Sequence, residues 1–118
     1  MITMYGIKNC DTVKKARNFL DNERVSYTFH DYKVSGVDEG RLRDWVAEHG
    51  WETILNRSGT TFRALDAGDK AHIDADKAVL LMMGNPSMIK RPILDTGRET
   101  IVGFKATTYE NALQAVKA

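Results

Sequence analysis

Two hydrophobic periods follow one another in the first third of the chain. The apolar run from Met1 to Tyr5 predicts a short buried strand. After Asp11, apolar residues recur at helical spacing and predict a helix that ends near Asn22, with a buried face formed by Val13, Ala16, Phe19 and Leu20. From Val25 to Tyr32, apolar and polar residues alternate, which predicts a second strand. This β-α-β order implies parallel pairing of the two strands with a right-handed crossover.

Helical patterns dominate the middle of the chain. Asp38 and Asp74 are capping residues, and they predict helices that end near Gly50 and Gly84. The buried positions expected in these two helices are Leu42, Trp45 and Val46, then Ala78, Val79, Leu81 and Met82. Two shorter helical turns are predicted beside them, at residues 51–55 and 87–90.

The last third of the chain predicts a hairpin followed by a helix. Pro92–Asp95 and Thr100–Phe104 are short strands joined by a turn at Thr96–Arg98. Thr107 or Thr108 is expected to cap a last helix with three inward apolar residues, Ala112, Leu113 and Val116. The complete order predicts an α/β fold, in which a mixed sheet carries helices on its faces.

Length and composition predict one domain over residues 1–118, because 42% of the residues are hydrophobic and 28% are charged. The net charge of +1 provides no electrostatic footprint for nucleic acid or an anionic membrane. The longest apolar run extends from Ala78 to Met83, whereas a transmembrane helix needs about 20 residues. The N-terminus lacks the pattern of a signal peptide. We therefore expect a cytoplasmic monomer with no nucleic-acid or membrane partner.

Cys10 is the only cysteine, so it cannot form an intrachain disulfide, and a reduced thiol agrees with the cytoplasm. It lies between a predicted strand and a predicted helix, flanked by Lys8, Asn9, Asp11 and Thr12. Unpaired N–H groups and the helix dipole at such a position favour the thiolate. A Thr12 hydroxyl bond and the Lys8 charge would add to this effect, while Asp11 is expected to cap the helix. The alternative is an inert buried cysteine, but the polar flanks favour a reactive thiolate.

A second candidate for the site is the pair Arg91 and Pro92. A proline is accepted at the first position of a strand, and the bond before it can be cis. An arginine held near a thiolate presents a planar fork to an oxyanion or a carboxylate. The alternative interpretation is a surface arginine beside a turn proline.

Arg57 and Arg63 place two more guanidinium groups in a polar loop. This loop is either solvated or one wall of a cleft that holds an anionic substrate or glutathione. The histidines are scattered and lack metal-ligand spacing, so we expect no metal.

Three segments occur in order along the chain, MYGIKNCDTVKKAR, LNRSGTTFRAL and NPSMIKRPIL. Together they resemble the arsenate reductase (ArsC)/Spx family, and the chain is similar to its small proteobacterial members, which are described as glutathione-dependent thiol reductases. The resemblance covers nearly the whole chain. It implies a thioredoxin-like fold, with β-α-β and β-β-α halves and a helical insertion at roughly residues 38–90.

The resemblance also implies roles for individual residues. Cys10 corresponds to the nucleophilic thiolate, Arg91 to the arginine that binds oxyanion, and Pro92 to a cis-proline that faces the cysteine. Family reductases attack arsenate with the thiolate, then use glutathione and glutaredoxin to release arsenite and recycle the enzyme. The implied co-substrate is therefore glutathione, and the implied substrate is a small oxyanion or an oxidised thiol. The substrate-binding set is Lys8, Asn9, Thr12, Arg57, Arg63 and Pro92.

The chain departs from family arsenate reductases around the oxyanion. Gly6 stands where they have a histidine, and Asn56 or Arg57 falls near their mid-chain arginine. A further arginine after the RPI strand has no match, and Arg98 is the nearest arginine there. These departures predict a weaker oxyanion site.

The chain also departs from the Spx members, which usually have a C-x-x-C pair. Cys10 is followed by Asp11, Thr12 and Val13, so an internal disulfide switch is excluded. A second hypothesis nevertheless follows from the family: a non-enzymatic, Spx-like redox-responsive adaptor that binds a protein partner such as RNA polymerase.

Overall fold

The first helix begins and ends where the hydrophobic period predicts. In the computed structural model, which describes the backbone of residues 1–117 and the side chains of residues 1–116, α1 spans Asp11–Asn22. Its inward positions Val13, Ala16 and Leu20 are buried, and Phe19 is half-buried beside them. Ala118, the last residue of the predicted domain, lies outside the described residues.

The two strands around α1 are β1, Thr3–Gly6, and β2, Thr28–Asp31. They pair in parallel, with Tyr5 opposite His30. The prediction of a strand from Val25 to Tyr32 was therefore too long at both ends. A strand can form ladder bonds only along its partner, and β1 is four residues long. Tyr32 instead begins a short helix, α2, Tyr32–Ser35.

The remaining strands are β3, Ile93–Asp95, and β4, Thr100–Val102. Within residues 1–117 the sheet has four strands in the order β2-β1-β3-β4. β1 and β3 are antiparallel with Met4 opposite Leu94, and β3 and β4 form the predicted hairpin. The mixed α/β sheet predicted from the order of elements is confirmed.

One face of this sheet carries the hydrophobic core formed with α1 and the last helix, α8, Ala106–Lys117. α8 begins one or two residues before the predicted caps, because the Lys105 carbonyl accepts the first helical bond from the Tyr109 N–H. Ala112 and Leu113 are buried as predicted, but Val116 in the last turn is 38% exposed. The core residues are Ile2, Met4, Val13, Ala16, Leu20, Leu94, Ile101, Tyr109, Ala112 and Leu113.

The chain divides into two compact units, which we call the sheet unit, Met1–Ser35 and Arg91 onward, and the helical unit, Gly36–Lys90. The helical unit holds five α-helices among the described residues: α3, Glu39–His49; α4, Trp51–Ile54; α5, Thr60–Arg63; α6, Ala67–Lys70; and α7, Ala75–Gly84. A 3-10 turn follows at Pro86–Met88. In residues 1–117, no helix has the length and apolar character needed to cross a membrane.

The two predicted caps of the helical unit are confirmed. The Asp38 carboxylate accepts from the Arg41 N–H at 2.8 Å, and the Asp74 carboxylate accepts from the Lys77 N–H at 2.8 Å. Of the predicted buried positions, Leu81 is only half-buried. The predicted loop at residues 56–61 is shorter than expected, because α5 begins at Thr60.

Candidate active site at the start of the first helix

Cys10 is the N-cap residue of α1. Its backbone is extended, with φ −146° and ψ 124°, and its carbonyl accepts the first helical hydrogen bond from the Lys14 N–H at 2.9 Å. The expectation that Asp11 caps the helix was therefore wrong, because Asp11 is already its first residue. The Cys10 side chain is half-buried against the core of the sheet unit. The thiol thus lies where the first N–H groups of the helix have no intrahelical acceptor.

The surroundings of Cys10 lower the pKa of its thiol. Burial is the largest influence and raises the pKa, but four others outweigh it. In order of size these are the backbone N–H of Val13, the Arg91 side chain as a donor, the charge of Arg91 and the backbone N–H of Thr12. The Cys10 side chain makes no capping hydrogen bond to the helix, so the two N–H groups act as nearby dipoles. All four stabilise the thiolate more than the thiol. The site therefore supplies a sulfur nucleophile at a lower pH than a free cysteine would.

Arg91 reaches Cys10 from the segment that leads into β3. The Arg91–Pro92 peptide bond is cis. Pro92 is buried, and its carbonyl accepts a hydrogen bond from the Gly103 N–H at 2.8 Å, just after β4. The sheet unit thus brings Arg91 to Cys10, although 81 positions separate them, and Pro92 follows Arg91 directly.

Three other predicted site residues lie beside the thiol in sequence and have exposed side chains, Lys8, Asn9 and Thr12. Thr12 acts on the sulfur through its backbone N–H, not through the hydroxyl that the sequence suggested. Lys8 and Asn9 form the turn between β1 and Cys10 and are accessible to a ligand.

Arg57 and Arg63 belong to the helical unit. The Arg57 guanidinium lies over the half-buried Trp51 ring, 5.5 Å from its centroid. Arg63 is exposed at the end of α5, and its carbonyl accepts from Lys70 Nζ at 2.7 Å. Asn56 turns its side-chain oxygen toward Ser58, whose N–H and hydroxyl both donate to it. Their part in substrate binding stays a prediction.

Gly6 is the last residue of β1, just before the loop that leads to Cys10. It stands where the resemblance expected a histidine. A Cβ atom at this position would lie 3.0 Å from Val13 Cγ2, which is shorter than a normal contact. The close approach of β1 to α1 therefore favours glycine here, and it explains physically why a larger residue is absent.

Sequence reasoning did not single out a cluster of rings at the same end of the sheet. The Tyr5 and His30 rings are 5.0 Å apart, and His30 and Tyr32 make an edge contact at 6.2 Å. The order of elements could have indicated this cluster. Tyr32 follows a strand that runs parallel to β1, and residues that follow parallel strands come to the same edge of the sheet. The periodicity of residues 25–32 hid it by suggesting that Tyr32 was still part of the strand.

The comparisons with known proteins agree with this geometry. The model of the ArsC family matches residues 5–112, so this chain belongs to the ArsC family. The solved structure of the YFFB protein is 57% identical, covers 96% of this chain and 99% of its own, and superposes with a TM-score of 0.94. An arsenate reductase (ArsC) related protein from Brucella melitensis is 48% identical over 93% of this chain and 92% of its own, with a TM-score of 0.75.

A third relative is the global transcriptional regulator Spx of Streptococcus mutans. It is 26% identical, and the match covers 88% of this chain and 77% of the regulator. The family resemblance stated from the sequence is thereby confirmed, and so is the thioredoxin-like fold that it implied. The relatives of this ArsC family member thus include both an arsenate reductase (ArsC) related protein and a global transcriptional regulator.

Proposed function

We propose that this protein is a glutathione-dependent thiol reductase in which Cys10 is the nucleophile. The observation that carries the proposal is the set of donors around Cys10, namely the N–H groups of Val13 and Thr12 and the Arg91 side chain. A thiolate is the reactive form of cysteine, and this site lowers the pKa of the thiol despite its partial burial.

With an oxidised thiol as substrate, the reaction is three successive thiol–disulfide exchanges. The Cys10 thiolate attacks one sulfur of the substrate disulfide, so that a Cys10–substrate disulfide forms and the other sulfur leaves as a thiolate. Glutathione thiolate then attacks this mixed disulfide and releases the second substrate thiol, which leaves Cys10 joined to glutathione. A second glutathione, or glutaredoxin, restores the Cys10 thiolate and carries away the disulfide. The two electrons come from the external thiols.

Arsenate is the alternative substrate of the same thiolate. Attack of Cys10 on arsenic forms an S–As bond and releases one oxygen as water, and glutathione displaces a second oxygen in the same way. When the two sulfurs join, arsenic is reduced from the +5 to the +3 state, takes up one water and leaves as arsenite. The product on the enzyme is again a Cys10–glutathione disulfide, so both substrates need the same recycling step.

The remaining roles follow from charge and accessibility. Arg91 neutralises an oxyanion or a carboxylate beside the sulfur. Lys8, Asn9, Thr12 and Pro92 are proposed to line the substrate-binding surface. Arg57 and Arg63 keep the role in substrate binding that the sequence predicts for them. A monomer in the reducing cytoplasm, served by glutathione and glutaredoxin, is the setting that suits this chemistry.

The Spx-like adaptor hypothesis is supported by the 26% identity to a transcriptional regulator. The site itself favours the reductase, because an arginine held against a thiolate supplies the charge that a bound anion needs. A pull-down that recovers RNA polymerase with the protein, from cells with reduced or oxidised thiols, would support the adaptor.

The proposal is tested by comparing the wild type, Cys10→Ser and the exposed surface variant Glu110→Gln as a matched control. Iodoacetamide alkylation against pH, followed by intact mass, gives the thiol pKa. Turnover of a mixed disulfide and of arsenate is measured with glutathione and glutaredoxin. We expect a thiol pKa below the ordinary value of about 8.5, turnover by the wild type and Glu110→Gln, and a loss of at least about 1,000-fold in Cys10→Ser. Full turnover by Cys10→Ser would overturn the proposal, and so would a thiol pKa of about 8.5 or above.

A further inference from the structure

Tyr32 presents a buried hydroxyl group that its own unit does not satisfy. The residue is 2% exposed, and its hydroxyl has no hydrogen-bond partner among residues 1–117. Buried polar groups are almost always paired, because burial without a partner sacrifices the hydrogen bonds that water would provide. An unpaired hydroxyl therefore calls for an explanation.

Tyr109 shows how the same side chain is normally accommodated. It is also fully buried in the sheet unit, and its hydroxyl donates to the Gly103 carbonyl at 2.9 Å. Its ring is held in an aromatic cluster with Phe19 and Phe104. The fold thus provides an acceptor for the Tyr109 hydroxyl and none for the Tyr32 hydroxyl.

The position of Tyr32 connects it with the thiolate site. Asp31, the residue before it, is paired with Gly6, the last residue of β1, and the loop to Cys10 starts immediately after Gly6. The Tyr32 ring packs edge-on against His30, which in turn contacts Tyr5. The charge of Arg91 acts both on the Cys10 thiol and on the Tyr32 phenol.

The hydroxyl is a donor at every physiological pH. Burial raises the pKa of Tyr32 far above its ordinary value, the neighbouring Tyr5 raises it further, and the opposing influence of Arg91 is smaller. A protonated phenol and a guanidinium are both hydrogen-bond donors, so the ligand that suits both is an acceptor with negative charge.

We propose that the Tyr32 hydroxyl donates a hydrogen bond to an anionic oxygen of the substrate held by Arg91 beside Cys10. The inference rests on the proposed function and adds Tyr32 to the substrate-binding residues. The shared chemistry is an anionic oxygen, which belongs either to an oxyanion or to a carboxylate of a thiol peptide. It also explains the unpaired hydroxyl, since its acceptor arrives with the substrate.

The inference makes a prediction that a purely structural tyrosine does not. Removing an unpaired buried hydroxyl takes nothing from the free protein, so Tyr32→Phe should have the same denaturation temperature as the wild type or a higher one. The same change should weaken anion binding by about tenfold or more, because a hydrogen bond to a charged group is lost. Tyr109→Phe is the matched control, with a lower denaturation temperature and unchanged anion binding.

The experiment measures how well an anion protects Cys10 from iodoacetamide at a fixed pH in the wild type and both variants. One series uses arsenate, and the other uses S-methylglutathione, which has carboxylates but no free thiol. Thermal denaturation is recorded on the same samples, and alkylation against pH gives the Cys10 pKa. Weaker protection by arsenate in Tyr32→Phe assigns the hydroxyl to an oxyanion, and weaker protection by S-methylglutathione assigns it to a carboxylate.

The outcomes separate this inference from the proposed function. If Cys10 has a lowered pKa and Tyr32→Phe is protected as well as the wild type, or if neither probe protects the wild type, the inference is wrong while the reductase proposal stands. A lower denaturation temperature in Tyr32→Phe with unchanged protection would also overturn it, since the hydroxyl would then serve the fold. A Cys10 pKa of about 8.5 or above would instead remove the basis of the proposed function.

Discussion

The sheet unit and the helical unit satisfy their backbone polar groups by different means. In the sheet unit, strands pair with strands, and the first N–H groups of α1 lie beside the Cys10 thiol. In the helical unit, the side chains of α5 and α6 are exposed or half-buried, and lysine side chains reach the carbonyls around them. Lys77 Nζ donates to the carbonyls of both Gly68 and Ala71.

This difference shows where each unit has strict requirements. The sheet unit depends on close packing, since one added carbon at Gly6 meets Val13 at 3.0 Å. The stretch from α5 to α6 depends on hydrogen bonds from the exposed Lys70 and the half-buried Lys77, whose long side chains tolerate change more easily. We therefore expect substitutions in the sheet unit to affect chemistry or global stability, and substitutions in the α5–α6 stretch to affect local order.

The largest effect is expected from Arg91→Gln. The change removes both the hydrogen bond and the positive charge that stabilise the Cys10 thiolate, so the pKa of the thiol should rise. Turnover should fall by about 100-fold or more, because the bound anion also loses its counter-charge. Alkylation against pH and glutathione-coupled turnover measure the two effects.

Two controls define the effect of Arg91. Arg91→Lys keeps the charge without the planar fork, and we expect it to recover part of the pKa shift and less of the turnover. Lys90→Gln changes the exposed neighbouring cation and should leave both measurements unchanged. If the pKa of the Cys10 thiol is as low in Arg91→Gln as in the wild type, the proposed role of Arg91 is wrong. The helix N–H groups would then be the source of thiolate stability.

The next largest effect is expected at Gly6. Gly6→Ala should lower the free energy of unfolding by about 1–3 kcal/mol, because Val13 must move to admit the new Cβ. Gly6→His, which restores the residue found in family arsenate reductases, should cost at least as much. Urea denaturation of each variant provides the measurement.

A double mutant tests whether Val13 is the cause. In a Val13→Ala background the contacting methyl groups are absent, so Gly6→Ala should cost much less than in the wild type. If Gly6→Ala is as stable as the wild type, the packing between β1 and α1 is looser than the distance indicates, and the contrast between the two units loses its main support.

Parts of the fold and of the candidate site could be predicted from local sequence patterns. Helix α1, the caps at Asp38 and Asp74 and the final hairpin follow from local patterns, because periodicity and capping are properties of neighbouring residues. The cysteine at a strand-to-helix junction was visible for the same reason. Its contact with Arg91 was suggested by family resemblance, since 81 positions separate the two residues and no local pattern records their approach.

Other features depended on tertiary structure and could not be predicted. The length of β2 is set by its partner β1, so the alternation from Val25 to Tyr32 overestimated it. The burial of the Tyr32 hydroxyl follows from that early end of the strand. Val116 fits the helical period of α8 but lies in its last turn, where 38% of it stays exposed.

A smaller effect is expected from Lys77→Met in the helical unit. The variant keeps the length of the side chain but loses the hydrogen bonds from Nζ to Gly68 and Ala71. Because Lys77 is half-buried and water can replace these bonds in part, the free energy of unfolding should fall by about 1 kcal/mol. Amide hydrogen exchange should become faster around α6, with β1 amides as the internal reference.

Lys70→Met is the matched control for Lys77. It removes the bond from one exposed lysine to the Arg63 carbonyl, so its effect on exchange should be smaller and centred on α5. If Lys77→Met leaves exchange around α6 unchanged, these lysines do not hold the stretch together, and the proposed difference between the two units applies only to packing.

The smallest effect concerns stability against pH, and its sign follows from the Cys10 site. The pKa of the thiol is lowered in the folded chain, and in the unfolded chain it returns to about 8.5. Between these two pKa values the unfolded chain binds more protons than the folded chain, so the free energy of unfolding rises with pH. The contribution of Cys10 to stability is complete above about pH 8.5. The gain is lost as the pH falls through the folded pKa.

Cys10→Ser isolates this contribution, because the difference in unfolding free energy between the wild type and the variant cancels the other groups. We expect that difference to shift in favour of the wild type between about pH 6 and about pH 9, as measured by urea denaturation under reducing conditions. At higher pH both chains also lose stability through the raised pKa values of the buried Tyr32 and Tyr109, a dependence that the difference cancels. A difference that stays constant would mean that the folded chain does not stabilise the thiolate, and the chemical contrast between the two units would disappear.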